Sequence, residues 1–458
     1  MSARPGLEAP RSLGNLRVLE LATHWAAPHP VRLLSDLGAE VIKLEARPRP
    51  DLIRGMVYAE NDPGDGLGNR AGYFHEGARN KLGITIDLTK PTGQELCRRL
   101  YRLVDVVVEN FTPRVLTGFG LDFPVLHRLN PAAVMLSNTA FGRTGPYGDY
   151  TGYGATAEAM GGLASLTGYP EGRGTYSGPR KVGFHYGDPV AGVFNAAAIL
   201  LALRHARRTG RGQHIDMSMA EAVTASVGEI VLDYQFTGRE PQRRGNAHPQ
   251  MAPHGCYPCR GDDCWVVIAV TSDAAWQRLV KVLGAPDWAR SEALATAAGR
   301  LAAREELDRH LSAWTGGQDR WDVARKLQAA GVAAGPVLTN KEVLLDPHLK
   351  ERGFFTPVDH PDGGLRPVPG VPYRMSRTPP RVFRPAPSFG EHNNLILGEL
   401  LGLTAGELER LAAEEVISQA PSPEYKFSPP FPLEDWQRAA VHIRDLDPDH
   451  RKLLGLED

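Results

Sequence analysis

The chain has 458 residues, 42% of them hydrophobic and 23% charged, with 52 Lys and Arg against 53 Asp and Glu. That length exceeds one ordinary core and predicts two domains. A formal net charge of -1 gives no bulk attraction to nucleic acid or to an anionic membrane surface, so any anion site is local.

The opening run Met1-Ser-Ala-Arg-Pro-Gly lacks the apolar core of a secretory signal. The longest apolar run, Val190 to Leu203, is too short to span a bilayer and carries Asn195. Four cysteines in a chain of this length do not make a disulfide scaffold. Together these features predict a soluble, cytoplasmic protein with no nucleic-acid or membrane partner.

Strand and helix patterns alternate through the first two hundred residues. Leu16–Leu21 reads as a strand, Pro30–Leu37 as a helix ended by Gly38, and Glu40–Leu44 as the next strand, a unit that implies a parallel pair. Ile84–Leu88 is a short strand and Pro91–Leu103 a helix with proline placed early, where its missing N–H is harmless. Val104–Val108 and Val134–Leu136 are further strands. The expected fold is doubly wound and Rossmann-like, with ligands gathering past the carboxyl ends of its strands. The loops after Leu21, Glu45 and Glu109 are therefore the places to look.

Pro189 to about Arg208 reads as a helix apolar on nearly every face, hence buried, with Gly210 as its stop. After Asp216–Met219 the rhythm changes. A polar, basic patch from Arg239 to Gln250 precedes a strand at Trp265–Val270, and helices follow near Trp276–Leu283, Glu305–Trp314 and Trp321–Ala330. This pattern predicts a smaller α+β domain over about 221–340, after a larger α/β domain over 1–220. The remainder, 341–458, begins as a proline- and glycine-rich connection over Leu344–Pro387. It continues into a helix opened by the capping pair Thr404 and Glu407, then into an arm containing Pro421, Pro423, Pro429, Pro430 and Pro432.

Cys256, Cys259 and Cys264 cluster near His254, a composition that can bind zinc. A structural zinc site needs four ligands, and no second, distant pair exists. Two strands joined by a Gly-Asp-Asp turn is the favoured reading, with no metal.

The segment Gly187-Asp188-Pro189-Val190-Ala191-Gly192 puts an aspartate immediately before a proline at the start of a helix. Two readings share that geometry. Aspartate is a favoured N-cap with proline next to it. Equally, a carboxylate held ionised by the helix dipole is a competent nucleophile.

The run from Gly183 to Met219 resembles the family III CoA-transferases, a family that also includes acyl-CoA racemases. The resemblance rests on Gly187-Asp188, Ala191-Gly192, a helix ending in arginines, and Thr209-Gly-Arg-Gly-Gln213-His-Ile-Asp216-Met-Ser-Met. Asp36-Leu-Gly-Ala-Glu-Val-Ile-Lys43-Leu-Glu45 is similar to the family's opening unit. Arg79-Asn80-Lys81, Val108-Glu109-Asn110-Phe111, Phe141-Gly-Arg-Thr-Gly-Pro146 and Gly390-Glu-His392-Asn also fit, so the similarity runs over about 14–417.

The resemblance implies a large α/β domain formed by both chain ends, a small middle domain and an interlocked homodimer. It implies Asp188 as the nucleophile that takes CoA from an acyl-CoA and passes it to a free carboxylic acid, with no permanently bound cofactor. It also directs attention to Lys43, Arg47, Arg79 and Lys81 as cations facing the crevice, although ordinary solvated cations remain the alternative. Asn110 and Phe111 fall where the family contacts adenine and pantetheine; Arg114 lies near the place of a usual phosphate-binding arginine, here Gly118. His24, Trp25 and Tyr153 fall near the thioester, and Trp25 is equally suited to core packing.

Two departures stand out. Gly154 replaces an acidic residue common in the family, and Tyr153 replaces the histidine of the racemases. Racemisation of a 2-methylacyl-CoA needs a base on each face of the α-carbon, so the tyrosine favours transfer. A non-catalytic acyl-CoA-binding protein is the third reading, and the presence of Asp188 argues against it.

Overall fold

In a computed structural model, residues 11–170, 177–430 and 447–456 are described. Both the opening run and Pro432 lie outside them. The chain forms two compact units, one built from 1–163, 181–235 and 347–458, the other from 164–180 and 236–346. The expected boundaries were 220 and 340; the smaller unit also takes in 164–180.

The larger unit holds a parallel six-stranded sheet of β1 (Arg17–Glu20), β2 (Glu40–Glu45), β3 (Leu82–Thr85), β4 (Val106–Glu109), β5 (Val134–Thr139) and β6 (His214–Ser218). Its strand order is β3-β2-β1-β4-β5-β6, which reverses between β1 and β4. The strands β1, β2, β4 and β5 alternate their apolar residues between two cores. Leu19, Ile42, Val107 and Met135 face one, which holds the Pro91–Tyr101 helix and the returning residues Ile396, Leu397, Leu411 and Ile417. Val18, Val41, Val106 and Val134 face the other, with Val31, Leu34, Ile199 and Leu203. Both faces are covered, as a parallel sheet requires.

The helix Gly187–Thr209 ends at Gly210, whose φ of 73° is left-handed. It is longer than the apolar run in the sequence and, by length and composition, long enough to cross a membrane. One face nevertheless packs into the core, where buried Asn195 donates from Nδ2 to Asn138 Oδ1 at 2.8 Å. The expectation of burial all round is not met. Val193, Phe194, Leu200 and Leu201 are exposed, because the sheet covers only one side of a cylinder.

The smaller unit contains an antiparallel sheet, β7 (His254–Pro258), β8 (Trp265–Ala269) and β9 (Ala333–Pro336), packed around Trp276, Leu279, Leu311 and Leu327. The cysteines lie on the β7–β8 hairpin as read, and all are free thiols. Among the described residues no group of three His, Cys, Asp or Glu side chains converges as for a metal. The 344–387 stretch is not merely a connection: it contains the antiparallel hairpin β10 (Phe355–His360) and β11 (Gly364–Pro369). Thr404 and Glu407 form the expected reciprocal cap.

Candidate active site

The strand order reverses between β1 and β4, and doubly wound sheets bind ligands beyond the carboxyl ends of the strands at such a point. Two loops meet there. Thr23, after β1, donates its N–H to Asn110 Oδ1 at 3.0 Å, and Asn110, after β4, returns a bond from Nδ2 to Thr23 O at 2.8 Å. His24 follows with a left-handed φ of 67°, unusual for a residue with a Cβ.

Asp188 lies in the first turn of the Gly187–Thr209 helix, whose N-cap is Tyr186. The cap reading therefore fails. The expectation that the helix dipole holds the carboxylate well ionised fails too. Burial, followed by the like charge of Glu158, pushes the Asp188 pKa up to about 7, against N–H donors from Ala26 and Asp188 itself. Desolvation outweighs those two donors here. A part-buried carboxylate poised near neutrality makes Asp188 a candidate functional group.

Glu158 escaped the sequence reading. It is fully buried on the helix Gly154–Met160, accepts from Gly187 N at 3.3 Å through Oε1, and leaves Oε2 without a partner. The available signal was spacing, since Gly154, Ala157 and Glu158 share one helix face. Gly154 itself is explained by close approach. A Cβ there would stand 2.0 Å from Asp188 Oδ2, so no acidic side chain fits.

Tyr153 caps the Gly154–Met160 helix, its N–H donating to Thr156 Oγ1 at 2.6 Å, and its exposed ring lies 5.7 Å from that of His24. Burial pushes the His24 imidazole below its ordinary pKa. Trp25 is not core packing alone: its ring sits 6.3 Å from Tyr73 and 6.3 Å from Phe184, both half-exposed.

The cations fall into two groups. Lys43, Arg79 and Lys81 were expected to face the crevice but are instead fully buried in ion pairs. Lys43 Nζ donates to Glu20 Oε1 at 3.0 Å, Asp51 Oδ2 at 2.8 Å and Ala22 O at 3.1 Å. Burial alone would lower its pKa, but Asp51 and Glu20 more than offset that and raise it. Lys81 Nζ donates to Glu20 Oε2 at 2.6 Å and Pro28 O at 3.1 Å; burial prevails there and brings its pKa down to about 8. Arg79 forks onto Asp36. The reason lies in the strands: side chains on β2 and around β3 point into a covered sheet, where a charge persists only when paired.

Arg47 and Arg114 do reach solvent, with Arg47 paired to Glu415 at 2.8 Å and Arg114 to Asp149 at 2.7 Å. Phe111 packs against the first core and its N–H donates to Glu109 Oε2 at 2.8 Å. Gly118 ends the short helix Pro113–Gly118.

A family profile described as CoA-transferase family III matches residues 13–393. The chain belongs to CoA-transferase family III. Among other family III proteins, it is 38% identical over 408 residues to the succinyl-CoA–D-citramalate CoA-transferase of Chloroflexus aurantiacus, covering 89% of this chain and 98% of that one. It is 37% identical to the succinate–glutarate CoA-transferase of Agrobacterium fabrum, with 87% and 98% covered. Its fold matches the crystal structure of a CAIB/BAIF family protein from Brucella suis at a TM-score of 0.75 and 35% identity, over 85% of this chain and 99% of that one.

Proposed function

We propose that this family III protein is an acyl-CoA:carboxylate CoA-transferase working through Asp188. The observation that carries the reading is a part-buried carboxylate, poised near pH 7 beside two backbone N–H donors, at the point where the strand order reverses. The relatives named above supply the substrate class.

The Asp188 carboxylate attacks the thioester carbonyl of the donor, the C–S bond breaks, and CoA leaves as thiolate, giving an acyl-aspartyl anhydride. The thiolate then adds to the Asp188 carbonyl and expels the donor acid as carboxylate, leaving an aspartyl-CoA thioester. The acceptor carboxylate enters by the same two steps reversed, which frees Asp188. Electrons and charge balance without an oxidant, and no proton is consumed. The Ala26 N–H is placed to stabilise the charge that forms on an Asp188 oxygen when the thiolate, or later the acceptor carboxylate, adds to the Asp188 carbonyl. Burial leaves the attacking oxygen poorly solvated and hence more nucleophilic.

Arg47 and Arg114 are the proposed phosphate contacts, with Asn110, Phe111, His24, Trp25 and Tyr153 around the bound thioester. Racemisation is disfavoured because Tyr153 stands where that chemistry needs a histidine base. The protein is proposed to act in the cytoplasm.

Incubation with succinyl-CoA and a panel of carboxylic acids should yield new CoA thioesters by mass. Because the ionised form of Asp188 attacks, kcat/KM should rise as pH increases through about 7 and level off above it. A rate already flat at pH 5 would contradict this assignment.

A homodimer is also proposed. The exposed apolar face of the Gly187–Thr209 helix calls for a cover, and the family resemblance supplies a second copy. Sedimentation should show no dissociation at nanomolar concentration; a clean monomer there would remove the proposal.

A further inference from the structure

Beneath the loop 22–28 lies a buried ionic array that takes no chemical part in acyl transfer. Glu20 leaves the end of β1 and accepts from both Lys43 and Lys81, one on each carboxylate oxygen. Lys43 also binds Asp51, which is buried and held ionised: burial would raise its pKa, but Lys43 lowers it. Asp51 is fixed in turn, its N–H donating to Glu45 Oε1 at 3.1 Å.

Three of its members reach from this array to a backbone atom of the loop, while Glu20 ties the two lysines together. Lys43 Nζ donates to the Ala22 carbonyl at 3.1 Å, and Lys81 Nζ to the Pro28 carbonyl at 3.1 Å. Asp51 Oδ1 accepts from His24 N at 2.9 Å, holding that residue in its left-handed turn. Two lysines thus grip the two ends of the loop while an aspartate grips its middle. Between those grips, Ala26 packs against Ala157, Val190 and Ala191 beside Asp188, and its N–H favours the ionised Asp188 carboxylate.

Buried ion pairs add little to stability compared with apolar side chains of the same size, since desolvation offsets their attraction. Four such groups under one short loop, three of them ending on its backbone, are better suited to fixing orientation. Resting on the Asp188 reading, we propose that Glu20, Lys43, Asp51 and Lys81 are positioning residues. They lock the loop so that the Ala26 N–H stays aimed at the oxygen on which charge forms and collapses during transfer. A preorganised donor of this kind contributes to the rate only if it need not reorient at each step.

Asp51→Ala and Asp51→Asn separate this role from plain folding. In Asp51→Ala the His24 N–H loses its acceptor and the loop relaxes. We expect kcat to fall by about 100-fold, the scale of losing one oxyanion donor, with KM nearly unchanged. The midpoint of the pH–rate profile should move to higher pH, because Asp188 loses a donor while Glu158, the charged group facing it, remains. Asp51→Asn keeps an oxygen for the His24 N–H, so its loss should be clearly smaller. Circular dichroism and sedimentation confirm folding; if Asp51→Ala does not fold, Asp51→Asn carries the test through a partial kcat loss and the same alkaline shift.

Lower thermal stability with kcat, KM and the pH midpoint at wild-type values would overturn the proposal. Trapping with hydroxylamine distinguishes the two levels. No Asp188 adduct in the wild type defeats the aspartyl route and this proposal with it. An adduct that Asp51→Ala forms at the wild-type rate defeats the positioning role alone.

Discussion

Asp188→Asn is expected to abolish CoA transfer, by roughly 10⁴-fold or more in kcat, the scale seen when a covalent nucleophile is removed. The amide keeps the size and the hydrogen-bonding oxygen of the side chain but cannot attack a thioester. The same change should stabilise the fold at alkaline pH. With a folded pKa of about 7, well above that of an unfolded aspartate, the native state holds a proton that the unfolded chain has already lost. Stability therefore falls as pH rises from about 4 to 7, and the ionised carboxylate destabilises the native state by on the order of 4 kcal/mol above that range. Melting curves at pH 8 should place Asp188→Asn above the wild type, with the difference closing toward pH 4. Such an exchange of stability for function is common at active sites. Equal melting temperatures at both pH values would mean that Asp188 is not held in an unfavourable charge state.

Gly154→Ala should be nearly as damaging, although it adds a single methyl group. The new Cβ would lie 2.0 Å from Asp188 Oδ2 and 2.9 Å from His185 Cβ, so the Asp188 carboxylate or the helix start must move. Displacing a reacting atom by about 1 Å can cost 10²-fold in rate, and a loss of at least that size in kcat is expected. KM should change less, because the proposed phosphate contacts, Arg47 and Arg114, lie on other elements. The fold should survive, since alanine suits a helix better than glycine. Wild-type kcat in this variant would show that the Gly154–Asp188 contact is not part of the working geometry.

The sheet was legible because parallel strands buried on both faces are written as short apolar runs, such as Val104–Val108, between helices with proline starts and glycine stops. Asp188 was legible as a position, through the Gly-Asp-Pro sequence at the helix start. Its electrostatics were not, because Glu158 lies thirty positions upstream and meets Asp188 only through the packing of two helices. The lysines misled for a related reason. Lys43 and Lys81 look like strand-end cations in sequence, yet Glu20 and Asp51, their partners, are brought together by the β3-β2-β1 order. Local pattern carries periodicity and caps; it does not carry which charges share a buried space. The exposed stripe of the Gly187–Thr209 helix was invisible likewise, because an apolar residue reads the same whether its own fold or another chain covers it.

The central claim is that Asp188 becomes covalently acylated. Enzyme mixed with succinyl-CoA and no acceptor should stall halfway, since the second half waits for an incoming carboxylate. Hydroxylamine then converts the activated aspartyl carbonyl to a hydroxamate, and mass spectrometry of the peptide containing Asp188 reads it. A parallel incubation with a 2-methylacyl-CoA in deuterated water reports on proton exchange at its α-carbon. The prediction is a hydroxamate on Asp188, lost in Asp188→Asn, with no exchange. Exchange at the α-carbon with an unmodified Asp188 would contradict the account and assign the site to racemisation.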